Sequence, residues 1–149
     1  MASPQGSHKL FANVLIKSYD FDPDGTDAVD VSWQDMRDFG TFGVVFVRTV
    51  GTSALDTFAI LGNAASDGSG TDVNIKTHAV ASEPNAVADM VVLECTAAEL
   101  AQEGEDNSVA LRYVSASCEF ATGTDEGVVI YIFGAPRWAY NALTADIIA

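Results

Sequence analysis

Apolar and polar residues alternate with a period of two along much of this chain. Val73, Ile75, Thr77 and Ala79 alternate with Asn74, Lys76 and His78. In LRYVSASCEF, Val114, Ala116, Cys118 and Phe120 form one set, and Tyr113, Ser115, Ser117 and Glu119 form the other. A period of two places each set on one face of a strand, so both segments predict half-buried strands. His78 then shares the polar face with Lys76 and points to solvent. Two runs, GVVFV at 43–47 and GVVIYIF at 127–133, are apolar on both faces. Their β-branched and aromatic residues predict central strands covered on both sides. Further strands are expected near 9–19, 29–34, 56–62, 89–95 and 137–143.

The breaks between these runs carry turn chemistry. NAASDGSGTD at 63–72 reads as a polar loop, and ATGTDEG at 121–127 reads as a short hairpin connection. One segment switches period. Thr96-Ala97-Ala98-Glu99 is a capping box, in which the threonine oxygen accepts from the N3 amide and the glutamate reaches back to the cap amide. Good helix formers follow to Glu103, and Gly104 supplies a stop. The expectation is one short helix near 97–103, one or two turns long, bridging two strands and anchored by Leu100. The pattern predicts an all-β fold: a single antiparallel β-sandwich, jelly-roll-like or a related barrel. One domain spans 1–149, with extended segments at 1–9 and 144–149.

Composition adds limits. With 149 residues, 48% of them hydrophobic, the chain can bury a real core. No apolar run reaches the roughly 20 residues of a membrane helix. The N-terminal stretch lacks the basic segment and cleavage site of a signal peptide, so the protein is expected to fold where it is made. The formal charge is −14, from 21 acids and 7 bases. That field repels nucleic-acid phosphates and favours solubility. Cys95 and Cys118 both sit in strand-like stretches. They read as two buried thiols, or as one disulfide if the protein ends outside a cell.

The densest acidic stretch is YDFDPDGTDAVDV at 19–31. Asp20, Asp22 and Asp24 fill the first, third and fifth positions of an EF-hand-type loop, and Gly25 fills the sixth. The twelfth position, which should hold a bidentate glutamate, is Val31. Asp27 could serve only through a different backbone path. The stretch reads as a solvated acidic turn between strands. A structural calcium held by Asp20, Asp22, Asp24 and Asp27 is the sharper alternative. No other cofactor is implied.

No catalytic motif stands in the chain. HExxH, a GxSxG elbow and a phosphate-binding glycine loop are all absent. The protein is therefore expected not to be an enzyme. Trp33, Trp138 and Tyr140 either fill the ends of the core or stack on sugar rings. The second option makes a calcium-stabilised carbohydrate-binding sandwich the alternative function. Ile147 and Ile148 lie near the end of the chain and are either tucked onto the body or offered to a neighbouring subunit. Together with Trp138 and Tyr140 they form the expected interface.

The order of segments carries a resemblance. WQDMRDFGTFGVVFVRTVGT is followed by a Gly/Asp loop, then DMVVLECTAAELAQEG, then LRYVSASCEFATGTDEGVVIYIFGAPRWAY. Across residues 29–140 this resembles small virion structural proteins of tailed phages, of the capsid-decoration or head-stabilising kind. The resemblance implies a β-sandwich or small barrel that sits on a capsid lattice, often as a symmetric oligomer. It implies a major capsid protein and copies of the chain itself as partners. It also implies synthesis in the host cytoplasm and a final place on the virion, with no direct nucleic-acid or membrane contact. No catalytic residue comes with it.

Overall fold

The computed structural model describes residues 14–21, 29–78 and 86–136. Among these, the strands are β1 (Leu15–Phe21), β2 (Val29–Asp30), β3 (Gln34–Asp35), β4 (Phe39–Val50), β5 (Leu55–Asn63), β6 (Val73–Thr77), β7 (Met90–Thr96), β8 (Tyr113–Phe120) and β9 (Glu126–Pro136). A helix, α1 (Ala97–Asp106), links β7 to β8.

The antiparallel pairings nest inside one another. Leu15 faces Phe133, Val29 faces Cys118, Gln34 faces Val114, Thr41 faces Thr96 and Ala59 faces Thr77. The chain is thus one long hairpin whose tip is the 64–72 loop. Rolling that hairpin brings β4 against β9 and β5 against β8. One sheet then has the order β1-β9-β4-β7, and the other β2-β8-β5-β6 with β3 also on β8. With β2 and β3 counted as one interrupted strand, this is the jelly-roll arrangement of eight strands in two sheets. The antiparallel sandwich expected from the alternation is the observed fold.

The facing sides of the two sheets hold the core. Phe42, Phe46, Phe58, Phe120, Tyr131 and Phe133 are all buried there. Their rings meet at tilted or edge-on angles, with Phe42 5.0 Å from Tyr131 and Phe46 5.7 Å from Phe120. Such geometry adds to the area term of burial. The helix closes one end of the sandwich. Its capping box is formed on both sides, with Glu99 N–H donating to Thr96 Oγ1 at 3.1 Å and Thr96 N–H donating to Glu99 Oε2 at 2.8 Å. Leu100 is buried and sits on Gly62, where an added Cβ would come 2.8 Å from its Cδ1.

Three expectations are corrected. The 121–127 stretch is not a hairpin, because β8 and β9 belong to different sheets. Each has two better neighbours, so the short connection crosses the sandwich. The helix is longer than expected and runs through Gly104. That glycine is a point of close packing, since a Cβ would lie 2.6 Å from the Val109 carbonyl oxygen. The stop comes at Ser108, in the left-handed region at φ 57°. Finally, β4 and β9 are central strands but have one covered face each. Their outward residues Val45, Val47, Val128, Ile130 and Ile132 are only half-buried.

Two connections cross between the sheets at one end, 51–54 from β4 to β5 and 121–125 from β8 to β9. A buried charge pair ties them together. Arg48 Nη1 lies 2.6 Å from Asp125 Oδ2, and Arg48 Nη2 donates to the Ser53 carbonyl at 2.5 Å. Asp125 Oδ2 also accepts from the Ser53 amide at 2.8 Å and the Ser53 hydroxyl at 2.5 Å. The guanidinium stacks 4.8 Å from the Phe120 ring centre. Burial pushes the Asp125 carboxyl pKa up, but hydrogen bonds from Ser53 and Arg48 and the Arg48 charge hold it below the ordinary value.

Removing one member of such a pair strands the other charge in the interior. Arg48→Met is expected to lower unfolding free energy in urea by about 3–5 kcal/mol. The depressed Asp125 pKa fixes the sign of the acid dependence. Its contribution is complete above the ordinary carboxylate range, at about pH 4, and is lost as pH falls through the lower folded value. Urea midpoints of Asp125→Asn, already lower than wild type at neutral pH, should therefore fall less steeply with acid.

Candidate functional site

The widest candidate surface is the outer side of the β1-β9-β4-β7 sheet. Register assigns its rows. Ser18, Ile130, Val45 and Val92 form one; Ile16, Ile132, Gly43 and Glu94 form the next; Val128, Val47 and Met90 belong to a third. The residues are apolar here because β4 and β9 keep β-branched side chains on both faces, where an ordinary outer sheet face would carry polar ones. Glu94, on edge strand β7, is an acid within these rows. Met90 and Val92 stand out from β7 at 62% and 58% exposure. Beside them lies a groove of about 680 Å³ that includes Gly43, Ile132, Gly134 and Thr41. The Lys76–Glu99 ion pair closes its rim, at 2.6 Å. The hydrogen bond from Lys76, with two from Thr96, brings the Glu99 carboxyl pKa down to about 2.

The opposite sheet is built differently. Its outward positions on β8 are Ser115 and Ser117, predicted polar and outward, yet both are buried. The break between β2 and β3 sets the contacts around Ser115. Val31 N–H still donates to the Ala116 carbonyl at 2.8 Å, as a strand residue would. The Ala116 N–H finds no strand carbonyl and donates instead to the Tyr131 hydroxyl at 2.8 Å. Ser115 Oγ lies 3.3 Å from the same hydroxyl and accepts from the Ser32 amide. Tyr131 thus spans the sandwich from β9 and fills the gap. Burial raises its pKa to about 12, against the opposing effect of the Ala116 and Ser115 hydrogen bonds.

The residues expected to carry a site fall as follows. Asp20 has its backbone in β1, opposite Val128. Asp22, Asp24 and Asp27 lie outside the described residues, as do Trp138, Tyr140, Ile147 and Ile148. Among the described residues no group of three or more His, Cys, Asp and Glu is placed to hold a metal. Trp33 is half-buried, and its indole nitrogen packs on the backbone of Gly68, where a Cβ would lie 2.2 Å away. It packs on the 64–72 loop. His78 is half-buried and donates its backbone N–H to the Phe58 carbonyl. Cys95 and Cys118 are buried thiols not joined to each other, and burial raises the Cys95 pKa to about 12. No helix among the described residues is long and apolar enough to cross a membrane.

Gly43, Met90 and Val92 were not singled out by sequence reasoning. The signal was present: a strand expected to be covered on both sides, with a glycine in it, has to meet something on each side.

No known family matches the chain, and no curated protein matches it. Among solved structures, a chain in the structure of the infectious bursal disease virus Gt strain is similar at 14% identity and a TM-score of 0.21. The match covers 85% of this chain and 40% of that one. So slight a likeness carries no argument, and function has to be read from this chain's own surfaces.

Tyr131→Phe keeps the ring and removes the acceptor for a buried amide. Its expected cost is about 1–3 kcal/mol in urea unfolding, and a cost near zero would mean that water replaces the hydroxyl. A thiol-labelling reagent should leave Cys95 and Cys118 unmodified in the native protein and modify both after unfolding; fast native labelling would contradict their burial.

Proposed function

We propose that this chain is a non-enzymatic virion structural protein that binds a tailed-phage capsid lattice and stabilises or decorates it. The carrying observation is the broad apolar outer face of the β1-β9-β4-β7 sheet on a chain of net charge −14. Contiguous exposed apolar surface on an otherwise charged protein marks a protein contact. The fold alone does not assign the role, since jelly rolls serve many functions. The order of segments across 29–140 supports the virion reading, and the acidic field argues against a nucleic-acid partner. The partners in this reading are a major capsid protein and further copies of the chain. Affinity comes from repetition, because each weak contact on a lattice gains from its neighbours. The protein is made in the host cytoplasm and ends on the particle.

The test is retention on particles. Purified protein is mixed with phage capsids that lack it, and the mixture is sedimented. Wild type should pellet with particles in saturable, stoichiometric amounts and raise their resistance to heat. Protein that stays in the supernatant at every concentration would overturn the proposal. Val92→Asp should reduce retention at least about ten-fold, the effect of placing one charge in an apolar contact.

A further inference from the structure

We propose that the segment preceding β1 lies across the groove of the β1-β9-β4-β7 sheet in its own chain, with Phe11 over Gly43 and Lys9 beside Glu94 and Glu99. The inference goes beyond the virion reading and does not rest on it.

The first observation is where the groove opens. Its lining includes Val14, the first residue described before β1, and reaches Lys76 and Glu99 beyond the far edge strand. A straight continuation of β1 loses its partner at that point. The ladder ends with Leu15 opposite Phe133, and the residue before Val14 would face Ala135, whose φ of 48° is off strand geometry.

The second is the floor. Ile16, Ile132, Gly43 and Glu94 form one of its rows, and Gly134 and Thr41 stand in the next. Two glycines leave it low. Gly43 has no positive φ, and a Cβ there would meet its ladder neighbours Ile132 and Leu93 at 3.8–3.9 Å, which is ordinary contact. Folding of the sheet therefore does not require glycine, which inside a strand is unfavourable by roughly 0.5–1 kcal/mol relative to alanine. Such a glycine commonly marks a place where another backbone approaches closely.

The third is length. Four strands about 4.8 Å apart span about 14 Å from β1 to β7, and an extended chain rises about 3.3 Å per residue. Counted back from Val14, Phe11 arrives about 10 Å across, over β4, and Lys9 about 16 Å across, at the acidic rim. The fit uses five residues and does not depend on how much chain lies further upstream.

The fourth is charge. The groove carries Glu94 and Glu99. Glu99 pairs with Lys76, but Glu94 has no ion-pair partner among the described residues. No acid precedes Asp20, so Lys9 stands in a stretch without a compensating charge. Lys9-Leu10-Phe11 thus offers a base and two apolar side chains to an apolar floor with an acidic rim. A second copy of the face would bring the same acids instead. The groove takes only one end of the face; Val47, Val128 and Met90 form a separate row toward the other end and stay open to a partner.

Trypsin digestion of the native full chain, read by mass spectrometry, is the test. Cleavage after Lys9 should be at least about ten-fold slower than in a synthetic peptide of residues 5–14, because only the undocked fraction is cut. Gly43→Val fills the hollow and should remove most of that protection. Glu94→Gln removes one surface charge and should speed cleavage about two- to five-fold. Cleavage after Lys17, inside β1, should stay slow in both variants, which separates release of the segment from unfolding. Lys9 cut as fast as in the peptide would overturn the inference, as would protection that neither substitution relieves. Phe11→Cys combined with Gly43→Cys and oxidised at low protein concentration should give a disulfide within one chain. Absence of that product, or disulfides formed only between chains, would defeat it, the latter in favour of a segment exchanged between copies. None of these outcomes bears on retention by capsids, which is measured separately.

Discussion

Two sheet-to-sheet crossings share one buried charge pair, and the register of the sandwich depends on it. Apolar packing between sheets is non-directional and would tolerate some sliding. The Arg48–Asp125 pair adds direction, because it joins the end of β4 to the turn that enters β9. The ladders shift register just here, between Arg48 and Val50 in one sheet and between Leu55 and Thr57 in the other. Such irregularities bend strands out of one sheet toward the next. Gly51, at φ 86°, lets the backbone pass against the Asp125 carboxylate, where any Cβ would collide with it. Desolvating two charges is costly, and the fit of Ser53 around them is what makes the arrangement hold.

The two sheets differ in how they treat their edges. β2 and β3 are two residues each, and in the gap between them the Ala116 carbonyl still accepts from Val31 N–H while the Ala116 N–H donates to the Tyr131 hydroxyl. An edge so short and broken offers little template for another strand. β6, the other edge of that sheet, is five residues long and shifts register against β5. The β1-β9-β4-β7 sheet has longer edge strands, of seven residues each, and keeps apolar residues on the outside as well as the inside. Its exposed apolar surface is therefore a face and not an edge.

The strand pattern of this fold was legible in the chain because period two reports which side of a strand is buried. The helix start was legible for the same local reason: Thr96 and Glu99 cap each other within four residues. What the local pattern could not report was pairing. ATGTDEG has the composition of a hairpin turn, yet it crosses the sandwich, because partners are chosen by burial across the whole molecule. Gly104 resembled a stop and is a contact point, since a helix end and a close approach both ask for a residue without a side chain. Of the candidate site, the acidic loop and the terminal aromatics lie outside the described residues. The face formed by β4 and β9 was half legible. Their two-sided apolar runs announced a second contact, but whether it was another layer of this fold or another molecule depended on topology.

That distinction turns an expectation about folding into one about assembly. A central strand that is apolar on both sides satisfies only one of them inside this sandwich, so the other remains a source of free energy for association. The acidic field limits how that free energy is used. At an ionic strength near 0.15 M, charges are screened beyond about 8 Å, so Glu94 and Glu126 act only on a partner already close to the face. A single small contact is weak, and a lattice that presents it repeatedly is where it becomes strong.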